Sequence, residues 1–205
     1  MRISVVFFLS LLRFTFEVFH QLPRVIQAAK NGDHATVREI LQTDLPPISI
    51  INDALISASS EGHFDVVTIL VDEAGANVNA TDDHNRNTPL NWAADQGHVD
   101  IVRFLIEKKV DVNHVDRHGQ TALMMASLVG LGVAENISDY FEIVKILIEN
   151  KADVNKVDQY GDTALSLAVE QQSAEVVELL VSAGADTSSF AESELVNEVI
   201  RKLHI

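Results

Sequence analysis

The chain has 205 residues, of which 47% are apolar, so it can bury a core and is not a disordered chain. Its net charge of −15, from 15 basic and 30 acidic residues, argues against nucleic acid as a partner because phosphate backbones are negative, whereas a protein with a basic surface suits this charge. The absence of cysteine excludes disulfides and thiolate metal sites.

Residues 1–20 differ in composition from the rest of the chain. They hold five of the nine phenylalanines, and the run Ile3–Leu12 is almost wholly apolar and follows Arg2. Arg13 interrupts the run and no small-x-small cleavage site follows, so the match to a signal peptide is incomplete, and the run is too short for a membrane span. Three interpretations stay open: a hydrophobic cap on the first repeat, a secretion signal, and a membrane-surface anchor or misassigned start codon.

Residues 21–205 contain one pattern that recurs at a fixed period. In its clearest copy, Thr88–Ala94 is followed by Gly97-His98, the apolar run Ile101–Leu105 and then Val110–Asn113. Two later copies open with Thr-Ala-Leu, at Thr121 and Thr163. An earlier copy around Leu55 keeps the Gly-His pair and the apolar run, and a degenerate first copy lies around Ala28.

The spacing between copies is regular with one exception. Leu90 to Leu123 is 33 residues and Leu55 to Leu90 is 35, whereas Leu123 to Leu165 is 42. The long interval predicts an insertion within residues 130–140, between the two helices of the fourth unit.

This pattern resembles the ankyrin repeat, whose units of about 33 residues carry a Thr-Pro-Leu-His-x-Ala signature. The resemblance covers residues 22–186. It implies an all-α fold, an ankyrin-repeat solenoid of stacked helix-turn-helix units with hairpin loops. We expect about five repeats within 21–205, ending in a capping helix over Ala191–His204.

Local chemistry explains the repeat signature. Threonine is a good N-cap for the first helix of each unit, and Pro89 suits a first helical turn. Gly62 and Gly97 lie between helices, where a positive φ is common. In the hairpin before Thr88, Arg86 stands where the family usually has glycine, so we expect Asn85 to take the positive φ.

The sequence carries no catalytic constellation, so we expect no enzyme and no cofactor. Asp111-Val112-Asn113 and Asp153-Val154-Asn155 look like the start of a calcium loop, but valine and alanine occupy later ligand positions. These Asp and Asn side chains are expected to brace the hairpins by bonding to backbone. His63 and His98 recur at equivalent places and are interpreted as structural rather than metal ligands. Trp92, Met124 and Met125 are interpreted as core residues.

Partners of ankyrin proteins usually dock on the concave face, which hairpin tips and the exposed side of the first helices form. The resemblance places a protein partner there, with Arg117 and Tyr160 as the best anchors because Arg and Tyr dominate interface hot spots. Leu128 is either covered by the insertion or part of an apolar contact patch. The candidate contact residues are His84, Asn87, Asp95, Arg117, His118, Gln120, Leu128, Gln159, Tyr160, Asp162 and Glu170.

The leading functional hypothesis is a monomeric, cytoplasmic module that binds a protein partner with a basic surface. The alternative is a membrane-anchored or exported ankyrin protein with a scaffolding or localisation role, in which residues 1–20 contact a membrane or direct the chain to the periplasm or exterior. Loss of about twenty residues from the native protein would distinguish the alternative.

Overall fold

A computed structural model describes residues 24–43, 45–128 and 137–203 of the chain. The N-terminal segment 1–20 and residues 130–136 of the expected insertion lie outside these described residues. The chain divides into two compact units, Met1–Ala80 and Thr81–Ile205, which we call unit 1 and unit 2 and describe one at a time.

The described residues of unit 1 form four helices. Helix α1 includes residues 24–30, α2 spans His34–Thr43, α3 spans Ile48–Glu61 and α4 spans Phe64–Asp72. Both α2 and α3 pack on α4. The contacts bury apolar side chains at helical spacing, among them Ile40, Leu55 and Leu70, and this burial is the main stabilising term for the unit.

The described part of unit 2 contains three helix pairs followed by a further helix. The first helices of its pairs contact one another, as do the second helices, so each pair covers the apolar face of its neighbour. The pairs are α5 Pro89–Asp95 with α6 Val99–Glu107, α7 Ala122–Ser127 with α8 Ile137–Glu149, and α9 Ala164–Glu170 with α10 Ala174–Ser182; helix α11 Glu194–Leu203 packs on α10.

Threonine caps the first helix of each pair in unit 2, as expected. The backbone N–H groups of Asn91 and Ser166 each donate to the capping hydroxyl, at 3.1 Å from Thr88 and 3.1 Å from Thr163. The N–H of Met124 donates to Thr121 at 3.3 Å. Each cap satisfies an amide that the helix itself leaves without a partner, which fixes where the helix starts.

The turns between helices confirm the predicted glycine conformations and correct one hairpin. Gly62 and Gly97 have φ values of 80° and 79°. The expectation that Asn85 takes a positive φ is wrong, because Arg86 adopts it, with φ of 62°. Arg86 lies two residues before the Thr88 cap, as Gly119 lies two before Thr121. The cap therefore determines which residue adopts the left-handed backbone conformation. The extra residue of this hairpin lies before that position, nearer the tip of the loop.

Helix α8 is longer than the other second helices of unit 2. It has 13 residues against 9 in both α6 and α10, and its first four, 137–140, belong to the expected insertion. Tyr140 in this added turn packs over Gly97, and its hydroxyl donates to the carbonyl oxygen of Asp95 at 3.1 Å. Burial, together with the nearby charges of Asp95 and Asp139, raises the pKa of Tyr140, which keeps the phenol protonated as a donor.

The C-terminal helix begins later than expected. A 3₁₀ turn occupies Ser188–Phe190, and α11 runs from Glu194 instead of Ala191. Ser193 accepts from the backbone N–H of Val196, so the short polar residue caps the helix and marks its start. Val196 and Val199 are buried, as predicted for the inward face.

Of the predicted core side chains, Met124 and Met125 are buried, whereas Trp92 is only half-buried and donates its indole N–H to Asp82. In unit 1, the predicted structural role of His63 is confirmed because its Nε2 lies 2.9 Å from the carbonyl oxygen of Lys30.

Candidate partner-binding surface

An aspartate anchors each hairpin of unit 2. Asp116 accepts hydrogen bonds at Oδ1 from the backbone N–H groups of His118 and Gln120, both at 2.8 Å. Asp158 repeats this geometry with Tyr160 at 2.8 Å and Asp162 at 2.9 Å. Carboxylate oxygens that collect two amides hold a short loop in one conformation, so the side chains at the tips are displayed in fixed positions.

In the hairpin that contains the extra residue, the anchoring aspartate accepts hydrogen bonds from a larger number of backbone amides. Asp82 Oδ1 accepts from the backbone of His84, Asn85 and Arg86, and its Oδ2 accepts from Trp92. Burial by itself raises the pKa of Asp82, but these hydrogen bonds outweigh it and hold the pKa below its ordinary value of 3.8. The carboxylate is therefore charged at neutral pH, as its role of acceptor requires.

The hairpins of unit 2 are joined tip to tip through backbone hydrogen bonds. The N–H of Arg117 donates to the carbonyl of Asn85 at 2.7 Å, and the N–H of Gln159 donates to the carbonyl of His118 at 2.9 Å. Side chains add to this join, since Gln120 Nε2 lies 3.3 Å from Asp158 Oδ2. The three tips therefore form one contiguous row, which we call the hairpin surface and define by residues 83–87, 117–120 and 159–162.

Tyr160 is a strongly exposed aromatic side chain on this surface. It is 67% exposed, and its ring stacks on the imidazole of His118 with centroids 6.1 Å apart and an interplanar angle of 23°. Gln159 Nε2 lies 2.6 Å from His118 Nδ1, which must act as the acceptor since the amide nitrogen only donates. Tyr160, Gln159 and His118 therefore support one another across two tips.

Arg117 and His84 are also exposed, as expected of contact residues. The Arg117 guanidinium reaches back to the carbonyl oxygen of Asp83 at 3.3 Å, which directs it toward the first hairpin and away from Tyr160. The row of tips thus carries a cationic end near residues 83–86 and an aromatic end at Tyr160.

The predicted residues on the first helices border the hairpin surface. Asp95 is half-buried and accepts from Gln96 Nε2 at 2.6 Å, and Glu170 is exposed at the end of α9. Leu128, at the C-cap of α7, is 43% exposed and is the last described residue before the insertion. The next residue, Val129, lies outside the described residues.

Asn87 is a correction to the predicted contact set. Its side chain is only 6% exposed, and its Oδ1 has no hydrogen-bond partner within the described residues. Asn87 lies between Arg86, which has the positive φ, and the capping Thr88. At this position of the hairpin the backbone directs the Asn87 side chain toward the interior. Gln120 and Asp162 hold the same position in the later hairpins and are half-buried rather than buried.

Sequence reasoning missed the exposed apolar residue that directly precedes the Asp158 hairpin, Val157, which is 54% exposed. The equivalent Val115 is half-buried rather than exposed, because the following hairpin lies beside it. After α10 the chain enters the 3₁₀ turn Ser188–Phe190, and residues 187–203 form no further Asp-anchored hairpin that could cover Val157. The exposure of Val157 could have been predicted from its position beside the last Asp-anchored hairpin of the repeat pattern.

The Asp and Asn residues that imitate a calcium loop brace the backbone, as predicted. Asp111 and Asp153 each accept at 3.0 Å from the N–H two residues ahead, and Asn113 Oδ1 accepts from the N–H of Asp153 at 2.8 Å. Across 24–43, 45–128 and 137–203, no cluster of three His or acidic residues could hold a metal ion. None of the helices in those ranges is long and apolar enough to cross a membrane.

Comparison with known families agrees with the geometry. The family model described as Ankyrin repeats (3 copies) matches residues 55–137 and 119–191, which together make up more than half of the chain. The chain belongs to the ankyrin-repeat family. The predicted fold class is confirmed: the described helices form the stacked pairs of this family, and ankyrin repeats generally serve as protein–protein interaction modules.

Individual relatives match parts of the chain. It is 37% identical over 78 residues to E3 ubiquitin-protein ligase XBAT32 of Arabidopsis thaliana, a match that covers 38% of this chain and 15% of that protein. It is 35% identical over 66 residues to a putative ankyrin repeat protein of Rickettsia bellii, covering 32% and 36%, and 36% identical over 69 residues to Alpha-latrotoxin-Lh1a of Latrodectus hasselti, covering 34% and 5%. The chain thus spans about a third or less of the length of these relatives.

Proposed function

We propose that this chain binds a protein partner through the hairpin surface of unit 2. The observation that carries the proposal is the row of three tips joined by backbone hydrogen bonds, which presents Arg117 and Tyr160 to solvent on a fixed scaffold. Arginine and tyrosine are the side chains that contribute most at protein interfaces, and side chains that are already held in place lose less entropy on binding.

The charge of the chain favours a partner with a basic surface. The net charge is −15, and the exposed carboxylates on or beside the hairpin surface include Asp83 and Glu170. Complementary charges raise association rates and suppress unsuitable partners. We therefore expect partner binding to weaken as salt rises, by an amount that reflects these exposed charges.

We propose a binding role and not a catalytic one. Two relatives that share sequence with this chain carry names as different as a ligase and a toxin, and the matches cover 38% and 34% of this chain. A repeat module that occurs in such different proteins is suited to recognition, while any chemistry belongs to sites elsewhere in those proteins.

A pull-down from native lysate, read by mass spectrometry, tests the proposed surface. The bait is the full chain in three forms: wild type, the double variant Arg117→Glu/Tyr160→Ala, and Lys145→Glu as a control. Lys145 is exposed on α8, away from the hairpins, and its substitution changes the charge as much as Arg117→Glu does. We expect a partner that the control retains and the double variant loses. A partner that all three retain would move the site away from the hairpin surface.

We propose a cytoplasmic location, with export or membrane anchoring through residues 1–20 as the alternative. The apolar run Ile3–Leu12 after Arg2 supports the alternative. The intact mass of the native protein distinguishes the two: an unprocessed chain in the soluble fraction supports the cytoplasmic proposal, whereas loss of about twenty residues supports export.

A further inference from the structure

The aromatic end of the hairpin surface has a local charge that the rest of the surface lacks. The last hairpin reads Asp158-Gln159-Tyr160-Gly161-Asp162-Thr163 and contains two carboxylates and no basic residue. The arginine of the neighbouring hairpin, Arg117, donates to the carbonyl oxygen of Asp83 in the first hairpin. An incoming cation at this end therefore meets negative charge and an aromatic ring.

The carboxylate of Asp162 remains open to a ligand. Its Oδ1 accepts from the hydroxyl of Ser166 at 2.9 Å, while no described residue donates to its Oδ2. The other carboxylate of the hairpin, Asp158, is buried and occupied by two backbone amides at Oδ1. Asp162 is consequently the half-buried carboxylate of this hairpin that keeps one oxygen without a donor among the described residues, and it follows Tyr160 by two positions in the sequence.

The Tyr160 ring is held in one orientation with one face free. Its inner face stacks on His118, which Gln159 in turn holds, and the side chain is 67% exposed. An aromatic face that projects into water attracts cations through its quadrupole, and guanidinium groups stack on such faces more readily than ammonium groups do. The planar guanidinium also matches carboxylate oxygens in geometry.

We propose that Tyr160 and Asp162 form a docking site for an arginine side chain in a basic segment of the protein partner. This inference rests on the proposed function and narrows it to one residue type at one end of the hairpin surface. The guanidinium stacks on the free face of Tyr160 and donates to Asp162 Oδ2. Arg117 at the opposite end fixes the direction of the bound segment, because an acidic residue of the partner is favoured there.

Nuclear magnetic resonance of the isotope-labelled full chain tests the site with a defined probe. The probe is a short Gly-Ser peptide that carries several arginines, and matched peptides carry lysine or glutamine at the same positions. We expect the arginine peptide to shift the backbone amides of Tyr160, Gly161 and Asp162 most strongly, the lysine peptide to bind more weakly at the same place, and the glutamine peptide to leave these amides unchanged.

Substitutions at Tyr160 separate the ring face from mere bulk. Tyr160→Phe keeps an aromatic face and should bind the arginine peptide with the wild-type Kd, whereas Tyr160→Leu keeps an apolar side chain and should raise the Kd about two- to fivefold. Asp162→Asn should raise the Kd about twofold and reduce its salt dependence. Circular dichroism verifies that each variant is folded.

Several results would overturn the inference. Amide shifts centred on the second helices of the pairs would contradict it. Equal Kd values of the arginine peptide for Tyr160→Phe and Tyr160→Leu would also contradict it. A third contradicting result is an arginine peptide that shifts the amides of Tyr160, Gly161 and Asp162 no more than the glutamine peptide does. The proposed function is tested separately. A partner that the Arg117→Glu/Tyr160→Ala bait loses supports the hairpin surface, whereas equal Kd values of the arginine peptide for wild type and Tyr160→Leu would reject the arginine site alone.

Discussion

The two units each have an apolar core of the same kind but differ in what connects their helix pairs. In unit 1, α2 ends at Thr43 and α3 begins at Ile48, so four residues join one pair to the next. In unit 2, fourteen residues separate Glu107 from Ala122 and fourteen separate Glu149 from Ala164, and both connections contain a hairpin anchored by Asp. The stacking of helix pairs therefore requires only apolar helix faces, whereas the presentation of side chains to a partner on loop tips requires the hairpins.

Helix α3 shows what replaces a hairpin in unit 1. It has 14 residues, against 7, 6 and 7 for the first helices of unit 2, and it begins directly after Pro46 and Pro47. Proline suits the start of a helix because it lacks the N–H that an interior position would need. The chain thus forms extra helical turns where unit 2 projects a loop, and Leu45 and Ile48 are exposed as a result.

The largest expected effect tests the statement that the cores are equivalent. Leu55 in unit 1 and Leu123 in unit 2 are both fully buried in first helices. Substitution of either by alanine should lower the free energy of unfolding by about 2–5 kcal/mol, since each leaves a cavity in close-packed surroundings. Urea unfolding followed by circular dichroism measures both. A loss under about 1 kcal/mol at one site alone would show that the two cores are not equivalent.

The next effect belongs to the hairpins of unit 2 alone. Asp116→Ala removes a buried carboxylate that two backbone amides share, and we expect a loss of about 1–3 kcal/mol together with weaker partner binding. Asp153→Ala serves as a control, because Asp153 is exposed and accepts one hairpin amide, from Asn155. If both variants unfold at the same urea concentration, the aspartate anchor does not stabilise the hairpin as described.

A smaller effect isolates the contact that the insertion adds in unit 2. Gly97 and Gly184 both have positive φ, but an added Cβ at Gly97 would lie 3.0 Å from the Tyr140 ring, whereas nothing lies within 4 Å at Gly184. Each change to alanine should cost about 1 kcal/mol for the backbone conformation, with a further cost at Gly97 from Tyr140. Thermal unfolding compares them. Equal losses at the two positions would contradict the packing of Tyr140.

The smallest expected effect is a pH dependence that originates in the first hairpin of unit 2. The folded pKa of Asp82 lies below its ordinary value of 3.8, so the folded state binds this proton less readily than the unfolded state does. The stabilisation is complete above the unfolded pKa and is lost as the pH falls through the folded pKa. Urea unfolding at neutral and acidic pH should show a smaller pH-dependent loss for Asp82→Asn than for wild type; identical losses would exclude this role.

The sequence was most informative where one residue type satisfies one local requirement. The threonines before Leu90, Leu123 and Leu165 cap helices, and the apolar runs that follow form the second helices, because these depend on neighbours in sequence. The family resemblance supplied the stacking. Gly62 and Gly97 were also predictable, since a turn between antiparallel helices needs a left-handed residue.

The sequence was less informative where the answer depends on register or on a distant partner. Asn is the more usual residue at positive φ, yet Arg86 takes it because the Thr88 cap fixes the register from the helix side. Burial of Asn87, exposure of Val157 and the contact of Tyr140 with Gly97 all depend on which element lies alongside. No local pattern reports such neighbours, so the contact surface was predicted in outline and corrected in detail.

Site-specific photo-crosslinking tests the central claim, that partner recognition belongs to the hairpin surface of unit 2, most directly. A photoreactive phenylalanine analogue replaces Gln159 at a hairpin tip in one sample and Glu149 at the end of α8 in another, both of which are exposed. After irradiation in native lysate, we predict that the Gln159 sample forms one dominant protein adduct and the Glu149 sample does not. The same adduct from Glu149, with none from Gln159, would place recognition on the second helices and contradict the account.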